Sequence, residues 1–240
     1  MTIQNFDRNL KLQVDPSKNL GATIYWTGFH ELHELLFLNK FLKSEMVVID
    51  VGANIGVFTV FMANRVSKGK VIAFEPVPFL NEQLRENVRI NAFNNVIIRK
   101  EGVADKKGIS AIHEIDSSNE GLSTLYPGEL KSIRKTEINL IPLDELFPTL
   151  GLDRLDLIKM DIEGGELPAL YGMRKLIEYY KPTILVEINQ KSYSSAGYTP
   201  KEVFDYLSNL GYKPFEISRT GKLIESDQMK SFINIVFTYQ

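Results

Sequence analysis

At 240 residues, with 44% hydrophobic and 24% charged residues, the chain has the makeup of a globular protein with one substantial core and is short for two. A formal net charge of −2 weighs against an extended nucleic-acid surface, which needs clustered Lys and Arg, and the lack of cysteine excludes disulfides, thiolate metal sites and a Cys nucleophile. The first residues lack the basic-then-apolar order of a secretory signal and no apolar run is long enough to span a bilayer, so the expectation is a soluble cytoplasmic protein of unknown oligomeric state.

Residues 1–45 match no repeating unit and are read as an N-terminal cover segment; residues 46–240 are read as the α/β unit, the whole forming a single domain. From residue 46 onward, apolar runs alternate with helix-period segments, the pattern of βαβ units building a parallel sheet covered on both faces. Strands are expected over 47–51, 71–74, 96–100, 155–160 and 183–188, with helices over 55–65, 79–91 and 166–180. Residues 105–150 fit no such unit and, like the first 45, are where a substrate cover would sit, because loops at the carboxyl ends of strands carry function. The last third changes rhythm: "TPKEVFDYLSNLGY" reads as a helix closed by Gly211, followed by strands over 212–217 and 233–239 that form an antiparallel hairpin. The fold class is therefore α/β, a Rossmann-like doubly wound sheet, mainly parallel with a C-terminal antiparallel hairpin.

The stretch "MVVIDVGANIGVFT" holds the first chemical signal. Asp50 falls near the end of the first strand, Gly52 permits close backbone approach to a ligand, and Gly56 permits tight packing where the helix begins. Glu75 ends the second strand, where a carboxylate can accept both hydroxyls of a ribose. A dinucleotide loop needs Gly-x-Gly-x-x-Gly to admit a pyrophosphate, and this loop has the wrong spacing and lacks a glycine. An acid at position 50 repels a pyrophosphate but suits a ligand with an ammonium and a sulfonium. S-adenosylmethionine meets both demands. After the third strand, "EGVADKKG" offers backbone groups near Val103 and Ala104 to an adenine, with Glu101 or Asp105 able to accept from its amino group.

With those residues in place, the sequence resembles the FkbM family of S-adenosylmethionine-dependent methyltransferases. The resemblance rests on "VIDVGANIGVFTVFMA", "GKVIAFEPVP", "ENVRINAFNNV", "LIKMDIEGGELPALYGM" and "KPTILVEIN", preceded by "IYWTGFHE" and followed by "LSNLGYKPFEI", and covers residues 24–217. It implies methyl transfer to oxygen, on a sugar, glycoconjugate or natural product. By position, Asp50, Gly52, Asn54, Gly56 and Glu75 match the family's cofactor motif. The acceptor, small molecule or glycan, is not fixed by the resemblance.

An alcohol acceptor has to lose its proton, and a carboxylate, a histidine or a metal can assist. "LIKMDIEGGE" puts Asp161 at the end of the fourth strand, near the sulfonium and the acceptor. Glu163 is read as base or acceptor-binding acid, and Glu166, three positions on, equally as a helix-dipole partner. Glu187 is a charge in a strand buried on both faces and needs a partner. Asp161 and Glu187 are also similar to the acids that hold magnesium in catechol-type O-methyltransferases, with Asn189 as a third ligand; this is the minor reading, and no metal ligand is assigned. His30, His33 and His113 read as ordinary side chains; the resemblance places "TGFHE", and so His30, near the cofactor mouth. Tyr25 and Trp26 read as a core pair or a stacking face, and residues 116–125, "DSSNEGLSTL", as an acceptor loop or plain surface. Two other readings stay open: a nucleic-acid methyltransferase, disfavoured because the fourth strand runs into "DIEG" instead of an Asn/Asp-Pro-Pro-aromatic run, and a cofactor-binding scaffold without transfer activity.

Overall fold

Side-chain alternation along the central strands decides what packs where. In the computed structural model, which describes residues 1–115, 123–226 and 232–240, the chain opens with β1 (Thr2–Phe6) and β2 (Leu10–Gln13), an antiparallel hairpin whose turn places Asp7 and Arg8 at positive φ, followed by α1 (Asn19–Thr27) and α2 (Leu32–Phe41). Then come β3 (Val47–Val51), α3 (Val57–Arg65), β4 (Lys70–Phe74), α4 (Pro78–Ile90) and β5 (Val96–Arg99). An inserted sheet follows, made of β6 (Gly102–Val103), β7 (Gly108–Ile115), β8 (Ser123–Thr124) and β9 (Ser132–Ile141), before the short α5 (Leu143–Leu146). The second half holds β10 (Leu157–Met160), α6 (Glu166–Gly172), α7 (Arg174–Tyr180), β11 (Thr183–Asn189), α8 (Gln190–Ala196), α9 (Pro200–Asn209), β12 (Tyr212–Ile217), β13 (Leu223–Glu225) and β14 (Phe232–Tyr239). None of the described helices is long and apolar enough to cross a membrane.

The main sheet runs β13-β12-β14-β11-β10-β3-β4-β5, with β3, β4, β5, β10 and β11 parallel. After β3 the chain winds outward through β4 and β5, then returns to lay β10 against the other side of β3. That reversal leaves a crevice at the carboxyl ends of β3 and β10, the place where such sheets bind ligands. The C-terminal strands form more than a hairpin. β12 and β14 pair antiparallel as expected, but β14 also inserts beside β11, in register from Ile184 opposite Phe237 to Asn189 opposite Phe232, while β13 takes the outer edge.

Both faces of the sheet are covered. Val48, Val71, Ala73, Leu157, Leu185 and Val236 face a core shared with the N-terminal hairpin and with α2, α3 and α4. Val47, Ile49, Val51, Ile72, Ile158, Met160, Ile184 and Val186 face the other, shared with α6, α7 and α9. Each fully buried aliphatic side chain contributes roughly 1.5–3 kcal/mol, so the alternating rows hold both layers. Position 50 and position 159 belong to the first face, in step with Val48 and Leu157.

Where elements depart from the periodicity, the backbone supplies the reason. The helix expected from residue 55 starts at Val57, because Asn54 (φ 52°) and Gly56 (φ 93°) hold left-handed conformations that no helix contains. The helix expected over 166–180 breaks at Met173 (φ −124°, ψ 19°), just after Gly172 presses so closely on the Ala104 carbonyl that a Cβ there would lie 1.9 Å from the oxygen. Residues 105–150 supply three strands of a four-stranded sheet ordered β6-β9-β7-β8, whose β7 and β9 form a long antiparallel pair burying Ile112, Ile115 and Ile138. Exposed Ile109 and Ile133 among polar neighbours blur the apolar–polar alternation that would mark these strands.

Gly52 has a tertiary reason to be glycine. Its φ is +79°, and a Cβ would sit 1.9 Å from the Asp161 carbonyl oxygen, so the ends of β3 and β10 touch through this position. Gly52→Ala is therefore expected to cost about 2–4 kcal/mol from the positive φ and the overlap together, read as a lowered urea midpoint with an unchanged slope.

Candidate active site

A cavity of about 440 Å3 lies beyond the carboxyl ends of β3, β4, β10 and β11. Its floor includes Val51, Gly52 and Phe74; Asn19, Leu20 and Thr23 of α1 close one side, and Ile112, Ile138 and Leu140 of the inserted sheet another. Glu75 and Glu101 mark one end, while His30, Glu31, Asp161, Glu163 and Glu187 gather elsewhere on the wall.

Glu75 is held by the turns that follow β3 and β4. The Asn54 N–H donates to Oε2 at 2.8 Å and the Val77 N–H to Oε1 at 2.9 Å. Asn54 itself holds a left-handed conformation, φ 52°, within this turn. Asn81 pins the same strand end, its Nδ2 donating to the Glu75 and Arg99 carbonyls at 2.7 and 2.9 Å. Burial pushes the Glu75 carboxyl up to about 7, against the two N–H bonds that favour its anion. Around it stand Phe74, Leu80 and Val103, an apolar slot beside a hydrogen-bond acceptor.

Three positions proposed for the cofactor lie behind the wall. Asp50 is fully buried and does not line the cavity, because its place in the β3 alternation turns it toward α3: Thr59 Oγ1 donates to its Oδ2 at 2.6 Å, and Lys159 Nζ lies 3.9 Å from its Oδ1. Gly56 is pressed against Leu84, whose Cδ1 would stand 2.5 Å from a Cβ, and this contact packs the start of α3 on α4. Ala104 donates its N–H to Ile141 at 3.2 Å and gives its carbonyl to the contact with Gly172. Asp105 also stays outside the cavity, and Glu101 pairs with Arg99 at 2.5 Å.

Lys159 was not singled out from sequence, although a lysine inside "LIKM" is a charge in a strand covered on both faces. It is the one buried lysine among the described residues. Its ammonium lies 3.5 Å from Asp161 Oδ2, 3.9 Å from Asp50 Oδ1 and 5.0 Å from the centre of the Phe58 ring. Burial alone would lower its pKa, but Asp161, Asp50, Glu31 and Glu187 together hold it above the usual lysine value.

The acidic end is built by neighbouring strands and one turn. The parallel register that sets Met160 beside Val186 carries Asp161 to the side of Glu187, and oxygens of Asp161, Glu163 and Glu187 lie within 4.8 Å of one another. Glu163 reaches them from a left-handed turn, φ 51°, and its Oε2 accepts from Ser192 Oγ at 2.7 Å and Asn189 Nδ2 at 3.2 Å. Burial, with Asp161 next, raises the Glu163 carboxyl; burial followed by Asp161, Glu163 and Glu31 raises that of Glu187 strongly. Glu31, also at positive φ, is raised by burial and by Asp161, and burial lowers the His30 imidazole. Glu166 belongs to the fold instead: it is buried, accepts from the Ile162 and Gly164 N–H groups at 2.9 Å each, and ties the turn around Glu163.

The remaining candidates separate cleanly. His33 and His113 do not line the cavity. Tyr25 and Trp26 are exposed, edge to face at 4.8 Å, outside it. Of the polar loop 116–125, residues 116–122 lie outside the described residues, whereas Ser123 and Leu125 line the cavity.

Residues 50–214 match the methyltransferase FkbM domain. The chain belongs to the FkbM methyltransferase family. It is similar, at 29% identity over 161 residues, to the methyltransferase sdnD of Sordaria araneosa, with 55% of this chain and 62% of that protein covered. It is equally similar, at 29% over 166 residues, to the hexuronic acid methyltransferase AglP of Haloferax volcanii, covering 69% of this chain and 63% of that one. The chain spans less than two thirds of the length of the curated relatives it matches. Among solved structures, the methyltransferase FkbM of Methylobacillus flagellatus shares the fold, with a TM-score of 0.58 at 18% identity over 95% of this chain and 56% of that one. His30 and Glu31 fall outside the matched FkbM residues, so part of the acidic end comes from the N-terminal segment.

Removing the ammonium from the centre of this arrangement leaves buried carboxylates without compensation. Lys159→Met is expected to cost about 3–5 kcal/mol in chemical denaturation, whereas the surface change Lys201→Met, which loses only an exposed pair with Asp205, should cost under about 1 kcal/mol.

Proposed function

We propose that the chain is an S-adenosylmethionine-dependent O-methyltransferase acting on a hydroxyl of a sugar, glycoconjugate or natural product. One observation carries the reading: a single cavity joins a buried carboxylate in an apolar slot to a cluster of acids. Its volume falls within the range of roughly 300–1,000 Å3 common for small-molecule sites. Glu75, with both oxygens already oriented by backbone N–H groups, would accept the two ribose hydroxyls. Phe74, Leu80 and Val103 would flank the purine, and the backbone at Gly52 and Asn54 would border the amino-acid part. The negative wall of Asp161 and Glu31 suits a ligand with positive charges. Asp50, from behind that wall, would act through Lys159 and α3.

When bound, the cofactor supplies a methyl group on a positively charged sulfur. The chain's own work is to align an acceptor oxygen and to take its proton. Glu163 is our candidate base, because it lines the cavity, burial raises its carboxyl above the usual glutamate value, and Ser192 and Asn189 fix its direction. Asp161 and Glu187 would hold the acceptor hydroxyl. Residues 1–45 and the inserted sheet would act as the cover over residues 46–240, keeping water from the transfer. The hexuronic acid named for AglP makes a carbohydrate acceptor a reasonable class to test first.

Transfer of labelled methyl to fractionated glycan, lipid, small-molecule and RNA extracts tests the acceptor. Alkali-stable label in carbohydrate or small-molecule fractions is expected; label in RNA alone would overturn the acceptor class, and cofactor binding with no transfer to any fraction would favour a scaffold.

In titration calorimetry with S-adenosylhomocysteine, Glu75→Ala is expected to weaken binding at least about 10- to 150-fold, the loss of one hydrogen bond to a charged group. The sign of the pH dependence follows from the raised carboxyl. Protonated Glu75 cannot accept both hydroxyls, so affinity should climb as pH rises through about 7, and the Glu75→Gln variant should lose this step. Glu163→Ala should lower kcat about 10²- to 10⁴-fold with cofactor affinity kept, and an unchanged kcat would remove it as base.

A further inference from the structure

The acids at one end of the cavity converge without enough donors between them. Ser192 and Asn189 both donate to Oε2 of Glu163, and Lys159 lies nearest Oδ2 of Asp161 while dividing its charge with Asp50. Glu187 is 6% exposed and lines the cavity, and its Oε2 is buried with no hydrogen-bond partner. A buried carboxylate oxygen with no donor is costly, and native proteins keep such groups where a ligand or ion completes them.

The spacing identifies the missing group. Two oxygens on opposite sides of a cation bound at about 2.3–2.6 Å stand about 4.6–5.2 Å apart. Oxygens of Asp161, Glu163 and Glu187 lie within 4.8 Å of one another, so one ion can reach all three. All three donors are carboxylate oxygens, a set that suits hard divalent ions, and the chain has no cysteine to attract softer metals. Asn189 is not a ligand in this arrangement: its Oδ1 caps α8 by accepting from the Lys191 and Ser192 N–H groups, and its Nδ2 steers Glu163.

We propose that Asp161, Glu163 and Glu187 form a binding site for a hard divalent cation of the Mg2+, Mn2+ or Ca2+ class. This deepens the reading as an O-methyltransferase and rests on it only for its consequence: a hydroxyl oxygen that joins such an ion becomes more acidic, which would ease the demand on Glu163. Binding of the ion itself does not depend on the acceptor.

The test uses the full chain, stripped with a chelator and titrated with Mn2+ under electron paramagnetic resonance. One Mn2+ per chain is expected, displaced by excess Mg2+ or Ca2+, with Glu187→Gln and Asp161→Asn each weakening it at least tenfold. Glu187→Gln removes a charge from a crowded acidic group and should fold; its circular dichroism and thermal midpoint verify that, and Mn2+ should raise the midpoint of wild type alone. No saturable Mn2+ binding by wild type, or binding that neither substitution affects, overturns the site. S-adenosylhomocysteine titration on the same samples separates the two readings. Cofactor binding without Mn2+ binding sinks only the cation site, and Mn2+ binding without methyl transfer to any acceptor sinks only the enzyme.

Discussion

A buried ammonium between two strands anchors the molecule. Lys159, in the middle of the sheet, stands 3.9 Å from the carboxylate of Asp50 on the strand beside it and 3.5 Å from that of Asp161 one pleat further out. Taking the Lys159 and Asp50 charges out of water is costly, and only close mutual placement, with Asp161 at the cavity edge, offsets it. Thr59 contributes a donor to Asp50 and Phe58 a ring face to Lys159, so the first turn of α3 is tied to both strands. The crevice opens at this seam. Gly52 lets the two strand ends meet, and the seam therefore joins stability to the position of Asp161 at the cavity wall.

Four glutamates around that crevice show how environment divides one chemistry into separate tasks. Glu75 and Glu166 are both buried, both oriented by two backbone N–H groups and both raised to about 7, yet one lines the cavity and the other braces a turn. Glu163 is positioned by side chains of α8 and its cap, while Glu187 has an oxygen with no partner. Their shared elevation comes first from burial, so a shifted carboxyl alone does not identify a functional acid here; cavity exposure and the donors at each oxygen do.

Much of this was legible in the sequence. The parallel strands, their order of appearance and the glycine turn followed from alternating apolar runs and from residues that tolerate positive φ. Gly52, Asn54, Glu75, Val103, Asp161, Glu163 and Glu187 all face the cavity because strand ends and βα turns deliver their residues to one edge of such a sheet. Lys159 was missed because strand periodicity gives a single charge no direction. The inserted sheet and the N-terminal hairpin are not legible because apolar residues such as Ile109 and Ile133 stay exposed and polar ones intervene, so no clean alternation marks their strands.

By itself, then, the sequence determined the class of the sheet and the set of acids at its edge, since both depend on local spacing along single strands. Only the tertiary structure decided which acids meet the cavity. Asp50 turns to α3 and Glu187 to the acids because each is placed by register with neighbouring strands, and the N-terminal His30 and Glu31 arrive from a segment far away in the chain. Register and long-range packing are set by contacts between strands distant in sequence, which a local pattern does not contain.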